Sequence, residues 1–314
     1  MYESVPVIIS GVPKQREGIF LFDNVSNQTS IYYLDALLNP SFFKTLAGDF
    51  LGSAVNYYNQ QLICVGSISG KVTALDVKYA IELWSLPLVN SAPFPSFTGV
   101  FSNNQTVYVA FYNGNIKGYD SGGTPNYGAQ GHSGHYGETG LIHNDVLLME
   151  QPSQSVAGTR MLVYWLVSGI ERHQITLNED VIGMYSLNQD EVVLLTNDAS
   201  SNGRLTFYSI RNNVRSNPFN IGSGKIDAIT EISTGVYLIA RNGDLKIINA
   251  NSFSTLPYLS GVSASTMRYD ALTDELLVVS GNTLSVYDYS SRVLIKSYTH
   301  PHPILDVQLH YNRE

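Results

Sequence analysis

The strongest constraint on this chain is a recurrence. Short apolar runs return in pairs across glycine turns, and the turn glycines read as Gly18, Gly70, Gly114, Gly158, Gly203, Gly243 and Gly281. Their spacings are 52, 44, 44, 45, 40 and 38 residues. A period in the low forties suits a unit of four short strands that buries its faces only by stacking on its neighbours. Three turns are Asn-Gly, at Asn113-Gly114, Asn202-Gly203 and Asn242-Gly243. Both residue types tolerate the left-handed geometry of a tight hairpin. The flanks pair accordingly: 106–111 with 115–119, 146–149 with 161–167, 192–196 with 204–210, 236–240 with 245–248, and 276–280 with 284–289.

The clearest copy is the stretch 62–88, LICVGSISGKVTALDVKYAIELWSLPL. Leu62, Ile63, Cys64 and Val65 form one strand, Ser69-Gly70 a turn, Val72 to Leu75 the return, and Ile81, Leu83 and Trp84 a third strand. Apolar residues on both faces mean that the strands are covered on both sides. Antiparallel sheets stacked face to face around an axis are the blades of a propeller. The expected fold is an all-β, seven-bladed β-propeller of four-stranded antiparallel blades. Residues 304–310, ILDVQLH, form a lone strand after the last hairpin. It completes the N-terminal blade, where 5–9 starts as a second strand, and so closes the ring and removes its open edges. The chain reads as one domain over 1–314, with blade 1 built from 1–35 plus 304–312.

Two segments depart from the period. Residues 36–50 read as a helical or loop insertion split by Pro40, a plug over the ring in preference to a partner-docking helix. Residues 121–140, SGGTPNYGAQGHSGHYGETG, read as a Gly-rich loop with one poor outer strand. In a propeller the outer-to-inner connections and the central hairpin turns share one face. On that reading the segments 39–49, 89–96, 121–136 and 212–224 form a rim that carries Phe42, Phe43, Phe94, Tyr127, His132, Tyr136 and Phe219. Aromatic side chains on such loops are ordinary interaction material.

Composition narrows the function classes. Charged residues are 14% of the 314, against about 25% in ordinary soluble chains, so Asn, Ser, Thr, Gln and 21 Tyr must supply the polar surface. That surface favours a place outside the cytoplasm, in a periplasm or on a cell surface with any leader removed. Net charge is −8 with no Lys/Arg-rich run, which argues against nucleic acid and anionic membranes as partners. No apolar run reaches the roughly 18 residues of a membrane-spanning helix, and MYESVPVIIS lacks the layout of a signal peptide. The single Cys64 reads as a small buried hydrophobe and excludes an intrachain disulfide.

Gly70-Lys71-Val72-Thr73-Ala74-Leu75-Asp76, followed by Glu82-Leu83-Trp84, resembles the repeat of the pyrroloquinoline-quinone (PQQ) propeller superfamily. That repeat runs Gly, x, hydrophobic, x, Ala-Leu-Asp and, after a gap, Trp. The likeness covers this blade closely; the other blades keep the Gly and the apolar strand and lose Ala, Leu or Trp. The resemblance implies the propeller fold, a structural role for Trp84, and kinship with non-enzymatic scaffolds such as lipoproteins of the bacterial outer-membrane assembly machinery. Quinoprotein members of the family use a vicinal disulfide, a Trp floor, calcium ligands and an Asp base. One cysteine cannot form that disulfide, and the carboxylates here show no recurring calcium set.

Other chemistry is sparse. His132, His135 and Glu138 have donor types that suit zinc, but glycines surround them and a polar loop is the better reading; no metal and no cofactor is expected. His300 and His302, in THPHP, read with His310 as part of a linker and closing strand held extended by proline. His143, Asp180, Asp227, Glu231, Asp270 and Asp306 fall on inner strands, where they cap turns or solvate the channel mouth. The Asn-x-Ser/Thr triplets at Asn24, Asn27 and Asn104 are too common to signify glycosylation. The expected function is a non-enzymatic binding or scaffold propeller that presents a rim to a protein or carbohydrate partner. The alternative is a carbohydrate-active or other hydrolase or lyase with its site at the channel mouth, which would need convergent titratable groups there.

Overall fold

The computed structural model describes residues 15–56, 59–66, 71–87, 97–102, 106–111, 115–130, 140–152 and 159–312. Among these residues every regular element is a strand, and the strands form seven antiparallel sheets. From innermost to outermost, blade 2 is Phe50–Asn56, Gln61–Gly66, Lys71–Asp76 and Glu82–Pro87. Blade 3 is Phe97–Ser102, Val107–Phe111, Ile116–Tyr119 and Pro125–Ala129, and blade 4 is Gly140–His143, Val146–Pro152, Thr159–Trp165 and Glu171–Leu177. Blade 5 is Glu179–Ser186, Glu191–Asp198 and Gly203–Ser209, with the outermost place shared by Val214–Arg215 and Phe219–Gly222. Blade 6 is Ile226–Ser233, Val236–Arg241, Asp244–Asn249 and Ser254–Leu259, and blade 7 is Thr266–Asp270, Glu275–Ser280, Thr283–Asp288 and Leu294–Thr299. Blade 1 starts with the C-terminal strand Asp306–Tyr311, followed by Arg16–Val25, Gln28–Leu34 and Pro40–Ala47. Each innermost strand touches the next all the way round, and Asp306–Tyr311 touches both blade 7 and blade 2. The fold is therefore a seven-bladed β-propeller sealed by its own tail.

Packing explains why the second strands read as unbroken apolar runs. Ile19 and Leu21 pack against Leu277, Leu284 and Val286 of blade 7. Phe20 and Phe22, on the other face, pack against Leu62, Cys64 and Leu75 of blade 2. Val192 and Leu194 face blade 4 while Val193 and Leu195 face blade 6. Among the described residues there is an apolar cluster between each pair of neighbouring blades. Burying a Leu, Ile, Val or Phe side chain is worth about 1.5–3 kcal/mol, so these interfaces are the main attraction that holds the ring.

Blade 1 corrects the sequence reading in three places. Gly18 is not a turn residue. It lies inside Arg16–Val25 at a register shift, where a side chain would collide with the Leu34 carbonyl and the Tyr33 ring. The hairpin turns at Ser26 and Asn27, both left-handed with φ of 52° and 59°. Counted from Asn27, the first interval to Gly70 is 43 residues, so the excess that called for an insertion disappears. Residues 36–50 accordingly hold no helix or plug but the outermost strand Pro40–Ala47, with Pro40 at the start of an edge strand, where its missing N–H costs no ladder bond. Finally, the closing strand pairs with Arg16–Val25, so blade 1 is built from 16–47 plus 306–311. The expected strand at 5–9 lies outside the described residues.

Candidate functional site

The described aromatic residues expected to share a rim all lie on outermost strands. Phe42 and Phe43 lie on the outermost strand of blade 1, Tyr127 on that of blade 3, and Phe219 at the edge of blade 5. Phe43 is half-buried and packs edge-on against Phe20 at 5.0 Å, whereas Phe42 is 63% exposed. Tyr127 is half-buried against Tyr108 at 5.3 Å, and burial pushes its phenol well above the usual range. Alternation along an outer strand, rather than a loop, decides which of these rings faces water. Phe94, His132, His135, Tyr136 and Glu138 lie outside the described residues. Among the described residues no cluster of His, Cys, Asp and Glu could hold a metal ion.

The inner-strand titratable groups do fall on innermost strands, and several of them bind neighbouring blades together. Arg268 of blade 7 reaches Asp306 at 3.1 Å, and Asp306 accepts from Ser53 of blade 2 at 3.0 Å and from Gln308 at 3.0 Å. Asp270 accepts from Arg16 at 3.0 Å and from Tyr311 at 3.0 Å, while Arg16 also pairs with Glu275. His143 meets Ser186 at 2.8 Å and the Gln189 carbonyl at 3.1 Å, both in blade 5. Asp180 and Asp227 are exposed. Glu231 is different: burial pushes its carboxyl up to about 7.

A second set of polar residues was not singled out from sequence. Asn24 accepts the N–H of Phe50 at 2.8 Å, Glu150 that of Val181 at 2.9 Å, and Asn197 that of Ile226 at 2.8 Å. Each sits near the end of a second strand and holds the start of the next blade's innermost strand. Their sequence signal is a polar residue directly after the apolar run, as in FLFDN, VLLME and VLLTN. At the closure, the THPHP linker contributes His300, whose Nε2 lies 2.8 Å from Asp23 Oδ2 and whose Nδ1 lies 3.0 Å from the Tyr298 hydroxyl.

Exposed apolar side chains gather elsewhere, at the turns that join third and outermost strands. Those turns lie at the same end of every blade and hence on one face, opposite the central hairpin turns. Leu37 is 77% exposed and Val167 95%; Tyr79, Ile170, Phe253 and Val293 are also exposed. Each turn carries a left-handed residue just before or at the start of the outermost segment: Leu38, Ala80, Gly123, Gly169, Asn213, Phe253 and Arg292, with φ between 51° and 80°. The turn closes on itself, as in Ala80 N to Asp76 O at 3.1 Å and Gly169 N to Trp165 O at 2.8 Å, which aims the intervening side chains at water. Phe253 is the most unusual member, a bulky residue in a region that favours glycine. Its ring lies 5.5 Å from Phe207 and 5.3 Å from Phe219, bridging blades 6 and 5.

No family model and no curated protein matches the chain. Solved structures do. The crystal structure of Saccharomyces cerevisiae Sqt1 is similar with a TM-score of 0.65 and 14% identity, over 97% of this chain and 90% of that one. The computationally designed protein Ika8 is similar with a TM-score of 0.63 and 12% identity, over 96% of this chain and 98% of that one. Likenesses at such identities concern the fold, and both agree that this chain is a β-propeller.

Proposed function

We propose that the protein is a non-enzymatic binding scaffold that engages a protein partner through the arc of blades 4 to 6 on its third-to-outermost turn face. The observation that supports this reading most is Phe253, half-exposed in a strained left-handed conformation and braced by Phe207 and Phe219. Backbone strain that persists at an exposed aromatic residue marks a position held for something other than stability. Val167 and Ile170 of blade 4 extend the arc, and Arg172 lies 4.2 Å over the Trp165 ring beside them. Aromatic and aliphatic anchors with a nearby arginine are the residue types that dominate protein interfaces. Affiliation with the PQQ-like group belongs to the same reading. It rests on 70–76 and on Trp84, whose Nε1 donates to the Ser121 carbonyl at 2.8 Å and wedges blade 2 against blade 3.

The test is affinity capture from the source cells with quantitative mass spectrometry. Phe253→Ser and Ile170→Ser should each release a protein that the parent chain and an Asn242→Ser control on the opposite face both retain. Equal capture by all four chains, or none by any, overturns the reading. The alternative, an enzyme at the channel mouth, would turn on Glu231, an innermost-strand carboxyl that burial raises to about 7, within the range of a general acid or base. Turnover of a glycoside that Glu231→Gln abolishes, while Phe253→Ser leaves it intact, would decide for that alternative.

A further inference from the structure

On the central-hairpin face, opposite the partner arc and independently of it, a buried cation at the seam of blades 5 and 6 has no counter-charge. Arg241 ends the second strand of blade 6, just before the Asn242-Gly243 turn, and is only 6% exposed. Its Nη1 donates to the Ile221 carbonyl of blade 5. Nε is shut away from water without an acceptor, and Nη2 also lacks one among the described residues. These two nitrogens share one edge of the guanidinium, and that edge meets solvent at Nη2.

Among the described residues no carboxylate lies within 4.0 Å of Arg241. Asp244, opposite it in register, accepts the Gly261 N–H at 3.0 Å, and Asp198 holds Arg204 at 2.8 Å. Asp227, one residue past Ile226, the other register partner of Arg241, is exposed. Burial lowers the Arg241 pKa, yet a guanidinium stays charged. A buried charge without a partner carries a desolvation penalty that one bond to a carbonyl does not offset. A neutral side chain could make that bond.

The connection Gly222-Ser223-Gly224-Lys225 runs against this edge. A Cβ at Gly222 would stand 2.6 Å from Nη1 and 2.7 Å from Nη2, so bare backbone lies on the guanidinium. Asn242 holds the connection through the Ser223 carbonyl at 3.2 Å. The N–H groups of Ser223, Gly224 and Lys225 have no acceptor among the described residues, and the exposed Lys225 has no ion pair there. The group is therefore all donors and two cations. An arginine edge matches a pair of oxyanion oxygens, and successive free amides favour anions. Two positive charges favour a dianion over a single carboxylate.

We propose that Arg241, Lys225 and the 222–225 connection form a binding site for a phosphate group. Nitrogen-15 NMR tests this on the full chain, at fixed ionic strength and about pH 8, where phosphate is a dianion. The Arg241 Nε–H signal, identified by its loss in Arg241→Gln, should move on titration with inorganic phosphate, together with the amides of 223–225. Followed through those amides, the affinity should fall about tenfold or more in Arg241→Gln. It should fall about threefold in Lys225→Ala, an exposed change that leaves the fold intact. If the glutamine form folds poorly, Arg241→Lys serves for the assignment and Lys225→Ala carries the test. Tighter binding of O-phosphoserine than of inorganic phosphate identifies a phosphorylated ligand as the source; equal or weaker binding identifies free phosphate. Signals that stay fixed at about 20 mM phosphate, where even a millimolar site would be filled, overturn the proposal. So do shifts that chloride reproduces, or an affinity unchanged in both variants.

Discussion

His300 Nε2 sits 2.8 Å from Asp23 Oδ2, and both side chains are shut away from water. The first residue precedes the closing strand and the second lies on the strand it closes against, so one contact spans the chain's two ends. Tyr298 holds the other ring nitrogen at 3.0 Å, and the Tyr32 ring lies 4.7 Å from the imidazole. Removing either partner strands a buried polar group. His300→Ala and Asp23→Ala should each cost about 2–4 kcal/mol in denaturant unfolding. The double variant should cost less than their sum by about 1 kcal/mol or more. Strict additivity would show that the two side chains do not act together.

The hold between blades 5 and 6 makes a sharper case because one side chain satisfies both groups of one peptide position. Asn197 accepts the N–H of Ile226 at 2.8 Å and donates to its carbonyl at 3.1 Å. Asn197→Ala leaves a buried donor and a buried acceptor, a loss of about 2–4 kcal/mol. Asn212→Ala removes an exposed hydrogen bond to the Ser209 hydroxyl and should change stability by no more than about 0.5 kcal/mol. Equal losses at the two sites would refute the idea that the second-strand polar residues hold the ring.

Backbone strain gives a prediction of opposite sign. Ala80 adopts φ of 55° in the turn before the outermost strand of blade 2, and its N–H bonds to the Asp76 carbonyl at 3.1 Å. Left-handed geometry costs a non-glycine residue about 1–2 kcal/mol, against up to about 1 kcal/mol for the freedom glycine adds to the unfolded chain. Ala80→Gly should therefore stabilise the protein by about 0.5–1 kcal/mol, visible as a raised thermal midpoint. A lowered midpoint would mean that the Ala80 methyl group packs better than this balance allows.

These residues also show what could be read in the sequence. Asn242-Gly243 and Gly281 announced their turns because left-handed geometry needs such residues, and both hairpins formed where expected. Asn27 does the same work without glycine, so Gly18, a glycine kept for close packing with Tyr33 and Leu34, mimics the turn signal. Counted from Gly18 the first interval is inflated, and a strand, Pro40–Ala47, then looks like an insertion. The innermost strands could be located because period and order fix them. What their polar groups do could not, since Arg268 and Asp306 meet across 38 residues and Arg16 and Asp270 across 254. The apolar turn face was hidden for the same reason: Leu37, Val167 and Phe253 are isolated in sequence and share a face only once the ring closes.

Glu231 ties stability to pH through burial. Its ordinary value is 4.5, and burial on the innermost strand of blade 6 raises it to about 7. The folded state therefore favours the protonated carboxyl. The sign follows from proton counting: between 4.5 and 7 the folded state holds a proton that the unfolded state has released, so stability falls as pH rises through this window. The contribution is fully present below 4.5 and gone above 7. Glu231→Gln keeps the shape and removes the titration. At pH 8 it should be more stable than the parent by about 1–3 kcal/mol, and at pH 4 the two should agree to within about 0.5 kcal/mol. Urea unfolding of both chains from pH 4 to 8 measures the difference directly. A gap that stays constant with pH would show that the carboxyl of Glu231 is hydrated in the folded ring.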